Sequence, residues 1–301
     1  MNSRKEDDHG EPVQREYKDR LFNFLFGSEE NKAWTLSLYN AINQSHYDDA
    51  SQIQIISIRE VMYLSMHNDV SFMVSGEINL YEQQSTFNPN MPLRLLQYAG
   101  NLYERYVTEH KLNKYGARRL VLPAPRLVVF YNGTLDKEDE TLLRLSDSYP
   151  PGKNGDIEVT VRMININYGR SEATLKACEP LREYAWLVEE IRKNMKIMEI
   201  EKAVDQAIAM IPPDYVIKAF LEEHRAEVKG MLLTEYNEAV TMEMFKEEGR
   251  AEGREEGRLE GRVEGYMEAL AALARDGVIT VSEGASRAGV TEAELRKYMT
   301  K

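Results

Sequence analysis

The chain has 301 residues, 43% of them hydrophobic and 29% charged, a composition typical of a globular protein with one large core or two smaller ones. Its formal net charge of −12 argues against general affinity for nucleic acid, because lysine and arginine must neutralise the phosphates. No apolar run approaches the roughly 18 residues of a membrane span, and the N-terminus lacks a signal-peptide core. We therefore expect a cytoplasmic protein without membrane contact, and its single cysteine, Cys178, rules out a disulfide within the chain.

The N-terminal part of the chain is predicted to be helical after a polar start. Residues 1–15 are polar and are expected to be disordered. Apolar residues at helical spacing predict one helix over 16–26 and a second over 30–43. The alternating segment 53–58 then predicts a first strand.

A β-hairpin is the central prediction. Residues 70–74 and 77–81 are rich in β-branched and aromatic side chains, and the Ser75-Gly76 pair between them suits a two-residue turn with positive φ. In the register that this turn sets, Asp69 lies opposite Glu82. Facing residues of an antiparallel pair project to the same side of the sheet, and Gln84 projects to that side as well.

Asp69 and Glu82 would then be two acidic residues whose Cβ atoms are roughly 4.5 to 5.5 Å apart. Such a pair repels unless a proton or a cation lies between them, and hard oxygen ligands suit Mg²⁺ or Mn²⁺. The pattern therefore favours a metal site. The alternative is an edge hairpin whose carboxylates face water, and a register slip of one residue would separate them.

A basic segment follows the hairpin. Apolar spacing predicts a helix over 93–107, and the apolar run 127–131 predicts a buried strand that ends at an Asn-Gly turn. Between Arg94 and Arg126 there are seven basic and two acidic residues, a local net charge of +5 in an acidic chain. This segment is the place to expect a nucleic-acid contact, although a solvated helix end and loop would look the same. The candidate DNA-binding residues are Arg94, Lys111, Lys114, Arg118 and Arg119.

The second half of the chain is predicted to be mainly helical. Residues 136–147 suggest an acidic loop and helix, and the alternating segment 157–168 suggests one long strand or a bent pair. Helical spacing returns over 172–194, where Pro180 favours two helices over one, and again over 214–244.

A repeat of Glu-Gly-Arg type occupies 248–265, with glycine at every fourth position. Five interior glycines cost a helix about 5 kcal/mol relative to alanine, which favours a charged, partly helical linker over an oligomerisation helix. The tail suggests a small helix-turn-helix unit, with Ser282 and Thr291 as N-caps and Gly289 in the turn. A hairpin that contacts protein is an equal alternative, since the second helix offers few basic residues.

Several linked motifs carry a family resemblance. They are D-V at 69–70, E-Q-Q-S-T at 82–86, N-M-P-L-R-L-L-Q-Y-A at 90–99 and L-V-V-F-Y-N-G at 127–133. In this order and spacing they resemble the Rpn family of recombination-promoting nucleases and putative transposases, a branch of the PD-(D/E)XK nuclease superfamily. The resemblance begins near Tyr17 and fades after about Tyr236.

The resemblance implies an α/β fold with a restriction-endonuclease-like α-β-β-β-α-β core and a mixed sheet, followed by a helical C-terminal region. Periodicity alone predicts the same order of elements. We expect a core over 16–170, a helical extension over 171–245, the repeat over 246–266 and a helical tail over 267–301.

The resemblance also implies a Mg²⁺-dependent endodeoxyribonuclease linked to recombination, mobile elements or phage defence. Asp69 and Glu82 would be its metal ligands, and Asp19 an auxiliary acid. Gln84 completes the implied catalytic set, but it stands where the superfamily has a lysine. The role of that lysine is therefore unassigned, and Lys18 is the candidate substitute. The alternatives are a non-cleaving module that binds DNA or assembles with protein, including homo-oligomers through the C-terminal helices, and an RNase on the same core.

Overall fold

The computed structural model describes residues 21–56 and 69–299; it gives only the backbone of Asp69 and of several positions between 237 and 263. The chain divides into two compact units, Met1–Ala239 and Val240–Lys301. The expected disorder of residues 1–15 and the positions Lys18 and Asp19 lie outside the described residues. Within the described parts, every helix is too short or too polar to cross a membrane.

The first unit is built on one six-stranded mixed sheet, so the α/β class is confirmed. Its spatial order is β1-β2-β3-β4-β6-β5. Strand β4 is parallel to both β3 and β6, and the other neighbours are antiparallel. The strands are β1 (Gln54–Ile55), β2 (Asp69–Val74), β3 (Glu77–Gln84), β4 (Ala124–Tyr131), β5 (Glu140–Arg144) and β6 (Thr160–Asn165).

Helices cover both faces of this sheet. Those that begin in the first unit are α1 (Leu21–Phe26), α2 (Lys32–Asn43), α3 (Met91–Glu109), α4 (Glu172–Ala177), α5 (Glu179–Met195), α6 (Ile200–Ala209), α7 (Lys218–Glu223) and α8 (Arg225–Arg275). Helix α3 packs on one face, where Leu95 and Leu102 share a core cluster with Ile78 and Leu80 of β3. Helices α1, α2 and α5 pack on the other face, in the cluster that contains Tyr81.

Alternation along β3 decides which side chains meet α3. Successive residues of a strand point to opposite faces, so Glu82 and Gln84 share the α3 face with Leu80, and Gln83 shares the opposite face with Tyr81. Gln83 therefore lies on the opposite face of the sheet from its two sequence neighbours, Glu82 and Gln84.

The predicted hairpin is confirmed. Ser75 and Gly76 have φ of 50° and 75°, the paired positive values of a type I′ turn. Val74 lies opposite Glu77 and Asp69 opposite Glu82, which is the predicted register.

Two predictions for the middle of the chain are corrected by the structure. Segment 136–147 does not contain an α-helix: it forms β5 and the start of a 3₁₀ turn, Leu145–Ser148. Here Leu143 and Leu145 are buried, and Arg162 of β6 donates to both carboxylate oxygens of Glu140, from Nε at 2.6 Å and from Nη2 at 2.8 Å. Segment 157–168 supplies the single six-residue strand β6.

The helical predictions hold with changed boundaries. Pro180 lies in the first turn of α5, which separates α4 from α5 as predicted. The 214–244 pattern is split into α7 and α8, and α8 continues through the glycine repeat to Arg275 as one 51-residue helix.

In the second unit, α9 (Val281–Ala288) and α10 (Glu292–Met299) pack with Met267, Leu270 and Ala271 of α8. The prediction of Ser282 as N-cap is wrong, because Thr280 forms a capping box with Glu283 one residue before α9.

Candidate functional site

The predicted site lies where β3 and β4 end side by side. Glu82 pairs in register with Val129, and Gln84 pairs with Tyr131. Both polar residues are therefore among the last three residues of β3, just before the chain leaves the sheet. The Glu82 side chain is 2% exposed. Asp69, whose backbone alone is described, is the register partner of Glu82 on the other side of β3. A carboxylate so thoroughly buried requires partners.

Glu82 receives those partners from α3 and from its own strand. Its Oε1 atom lies 2.8 Å from Arg94 Nη2 and accepts a 3.1 Å hydrogen bond from Gln84 Nε2. The same Gln84 nitrogen lies 2.7 Å from the Met91 sulfur at the start of α3. Gln84 therefore ties the end of β3 to the first turn of α3.

Arg94 connects the buried carboxylate to the surface. Its side chain is about one third exposed, and it also donates to the Tyr98 hydroxyl, from Nε at 3.3 Å and from Nη2 at 3.0 Å. The guanidinium offsets part of the cost of removing the Glu82 charge from water. Because Arg94 is partly exposed, an anion from solvent can contact its guanidinium while the same guanidinium is bound to the buried Glu82 carboxylate.

A second polar network lies on the opposite face of β3, and sequence reasoning missed it. Gln83 donates to Asn132 Oδ1 at 2.6 Å, and Asn132 Nδ2 donates to the Tyr184 hydroxyl at 3.2 Å. Arg192 donates to the Asn132 carbonyl and, at 2.7 Å, to Asn167. The Asn-Gly pair after β4 is the only sequence signal for this network. This second network holds the ends of β3 and β4 on the face opposite α3, whereas Glu82 and Gln84 lie on the α3 face.

Gly133 holds the two strand exits close together. A Cβ atom built at this position would lie 2.3 Å from the Ser85 carbonyl oxygen and 2.5 Å from the Tyr131 hydroxyl. That hydroxyl bonds Leu135 through both its carbonyl and its amide, and burial raises the pKa of Tyr131 above its ordinary value. Only glycine allows the chain after β4 to cross the chain after Glu82 and Gln84 at this distance.

The carboxylates suit a hard divalent cation in type. Glu82 is buried and Asp69 lies opposite it in the register, and proteins usually bind Mg²⁺ through one or two carboxylates. The Gln84 group beside Glu82 is the amide nitrogen, which is a donor and not a metal ligand. Among the residues whose side chains are described, no three acidic, histidine or cysteine residues come together as a metal cluster. The side chains of Asp69 and Asp19 lie outside that set. Glu82 is thus the one predicted ligand whose surroundings the structure defines.

The structure brings only one of the predicted DNA-binding residues to this site. Arg94 contacts Glu82, but Lys111, Lys114, Arg118 and Arg119 follow the far end of α3. With 19 residues, α3 is about 27 Å long, and its first residue is the one that touches Gln84. The four distal residues are all exposed.

Comparisons with known proteins give no match to this chain among protein-family models, curated proteins or solved structures.

Proposed function

We propose that the protein is a metal-dependent endonuclease that hydrolyses phosphodiester bonds in DNA. The observation that carries the proposal is Glu82, a carboxylate 2% exposed at the end of β3, with Asp69 opposite it in the register and Arg94 against it. The order of elements from α2 through β1, β2, β3 and α3 to β4 agrees with the core that the Rpn resemblance implies.

Asp69 and Glu82 would hold Mg²⁺ or Mn²⁺. When bound, the ion would neutralise charge on the scissile phosphate and lower the pKa of the attacking water. A buried ligand favours this chemistry, because charges interact more strongly where water is excluded.

Arg94 would bind the phosphate backbone next to that centre. In the structure its guanidinium neutralises Glu82 and keeps an exposed side, so a DNA phosphate and Glu82 compete for its donors. A guanidinium presents a fork of donors that matches phosphate oxygens.

Gln84 would orient Glu82 rather than stabilise charge. Its amide donates to Glu82 at 3.1 Å and is held by Met91. A neutral amide cannot act as a base or supply the full positive charge of the superfamily lysine. A nuclease on this core therefore relies more on Arg94 and the cation.

Cleavage of supercoiled plasmid tests the proposal. The purified chain is incubated with plasmid in Mg²⁺, with an EDTA control, beside the variants Glu82→Gln and Glu77→Gln. Glu77 is the matched control, since it lies at the other end of β3 and binds Arg126 Nε at 2.7 Å. We expect nicking by the native chain and Glu77→Gln, and loss of nicking in EDTA and in Glu82→Gln. Cleavage that survives Glu82→Gln contradicts the proposal.

A non-cleaving DNA-binding or assembly module is the second candidate. The Arg94–Glu82 ion pair favours it, because the pair neutralises the buried carboxylate without a metal. Gel-shift binding of DNA that stays intact in Mg²⁺ and Mn²⁺ at high protein concentration would select this candidate. A labelled RNA in the same assay distinguishes an RNase from a DNase.

A further inference from the structure

The loop over residues 110–123, which joins α3 to β4, is strongly basic. It contains four lysine or arginine residues and no aspartate or glutamate. Within the part of the chain that the structure describes, no carboxylate forms an ion pair with Lys111, Arg118 or Arg119. These three cations are exposed, in a chain whose overall net charge is −12. Polyanions are therefore attracted to this loop and repelled by most of the remaining surface.

The same loop exposes large apolar side chains. Tyr115 is 89% exposed and Val121 87% exposed, the two highest values among the large hydrophobic residues of the described chain. The Tyr115 ring lies outside the described core clusters, so packing in a core does not explain a tyrosine at this position. An exposed aromatic ring among unpaired cations is the combination by which proteins bind single-stranded nucleic acid, the ring by stacking on bases and the cations by contacting phosphates.

Hydrogen bonds anchor the loop around Tyr115 and at its far end. Asn113 accepts the Tyr115 amide at 3.0 Å through its side chain and the Gly116 amide at 3.2 Å through its carbonyl. The far end is tied to α3, where the Tyr103 hydroxyl donates to the Pro123 carbonyl at 2.8 Å. A loop that is already ordered loses less entropy when it binds a ligand.

Lys114 also fixes the surroundings of the ring. Its Nζ atom lies 5.6 Å from the centre of the Tyr115 ring and forms an ion pair with Glu104 of α3, which raises the pKa of the Lys114 ammonium. The ring thus has a cation beside it, and almost its whole surface remains open to solvent. The open surface can receive a base.

We propose that loop 110–123 binds single-stranded nucleic acid, with Tyr115 stacked on an unpaired base and Lys111, Arg118 and Arg119 against the flanking phosphates. Bases inside a duplex are already stacked on one another, so a surface ring gains little from intact double-stranded DNA. The proposal deepens the nuclease proposal and rests on it for the biological role: the substrate contains a single-stranded segment that this loop holds, away from Glu82 by about the length of α3.

Equilibrium binding by the full chain in EDTA tests the loop separately from cleavage. The probes are a fluorescein-labelled oligothymidylate of about 20 nucleotides and a duplex of the same length. Tyr115→Ala should weaken oligothymidylate binding about tenfold and duplex binding less than about twofold, and Tyr115→Phe should restore the affinity. Tyr168→Ala is the matched control, because Tyr168 is 50% exposed in a loop outside the basic segment.

The salt dependence of the affinity tests the phosphate contacts. The double variant Arg118→Ala/Arg119→Ala should weaken binding and reduce the slope of log affinity against log salt by about 1.4, since each single-strand phosphate contact contributes about 0.7. A circular dichroism spectrum equal to that of the native chain shows that each variant is folded.

Three results would overturn the proposal. The first is that the native chain binds no oligothymidylate, and the second is that Tyr115→Ala binds it as tightly as Tyr168→Ala does. The third is that the loop variants lose binding to phosphatidylserine vesicles only. Binding lost on Tyr115→Ala, in a chain that never cleaves plasmid, would keep the loop proposal and reject the nuclease.

Discussion

At the scale of single residues, the position of the Glu82 carboxylate depends on an amide, a guanidinium and a thioether. Gln84 and Arg94 share the Glu82 Oε1 atom, and Met91 holds Gln84. Two donors on one oxygen offset part of the cost of removing this carboxylate from water. The second carboxylate of the proposed metal site, Asp69, sits opposite in the register, so the ligand pair depends on the hairpin as much as on α3.

Gly133→Ala should destabilise the protein by about 1 to 3 kcal/mol, because the new methyl group would meet the Ser85 carbonyl oxygen at 2.3 Å and force the two strand exits apart. The free energy of unfolding, from urea titration followed by circular dichroism, measures the effect. Plasmid nicking should fall in the same variant, since Ser85 follows Gln84 directly.

Gly100→Ala is the matched control for Gly133→Ala. Gly100 lies within α3, and a Cβ atom there would have no described neighbour within 4 Å. Alanine is favoured over glycine inside a helix, so this variant should be stabilised by up to about 1 kcal/mol. Equal losses in the two variants would show that the close approach at Gly133 does not determine stability.

At the scale of elements, a buried acid joins two helices. Glu183 of α5 is 1% exposed, and its Oε2 atom accepts a 3.1 Å hydrogen bond from the Ile217 amide just before α7. Burial raises the pKa of this carboxyl above its ordinary value, against the lowering effect of hydrogen bonds from the Ile217 and Val216 amides. A raised pKa means that the folded chain holds the proton to higher pH than the unfolded chain, so this group makes folding less favourable as pH rises through the carboxyl range.

Glu183→Gln should therefore raise the urea midpoint at pH 7, because the amide keeps an oxygen for the Ile217 amide without the buried charge. Its advantage should shrink as the pH is lowered through the ordinary carboxyl range, where the native side chain is protonated as well. Urea titrations at several pH values measure this. A variant that is less stable than the native chain at pH 7 would show that the Glu183 charge contributes favourably there, for example through Arg182 at 4.0 Å.

The elements also show which features can be predicted from sequence. The hairpin register follows from local chemistry, since Ser75 and Gly76 set the turn and the turn sets every pair up to Asp69 and Glu82. The missed strand β5 is a tertiary effect: it lies within an acidic segment, and it pairs with β6 because Arg162 binds Glu140 and because Leu143 is buried. The β-propensity of the β5 residues alone does not predict that β5 pairs with β6.

The site itself was predictable only in part. Alternation places Glu82 and Gln84 on one face, and the sequence contains that information. The contact between Glu82 and Arg94 requires α3 to lie across that face, and the Gln83–Asn132 contact joins residues 49 positions apart. Such contacts depend on the packing of whole layers, which periodicity does not specify.

At the scale of the whole molecule, each of the two compact units has a core cluster among its described residues. The last described residues that pack in the core of the first unit are Leu232, Leu233 and Tyr236. The second unit has its own cluster around Leu270 and Leu295. Each unit thus buries apolar side chains of its own.

A chain that ends at Ala239 should therefore fold and keep its free energy of unfolding within about 1 kcal/mol, because it loses no described core residue of the first unit. Thermal and urea unfolding of the shortened and full chains measure this. A shortened chain that is insoluble, or that is less stable by more than about 3 kcal/mol, would show that the first unit depends on residues after Ala239.

Mn²⁺ binding followed by electron paramagnetic resonance tests the central claim, that Glu82 belongs to a metal centre. The native chain and Glu77→Gln should each bind Mn²⁺ in competition with Mg²⁺, and Glu82→Gln should bind it at least about tenfold more weakly, a loss of about 1.4 kcal/mol. Equal Mn²⁺ affinity in Glu82→Gln and the native chain, or no binding by the native chain, would contradict the account and leave Glu82 as the structural partner of Arg94.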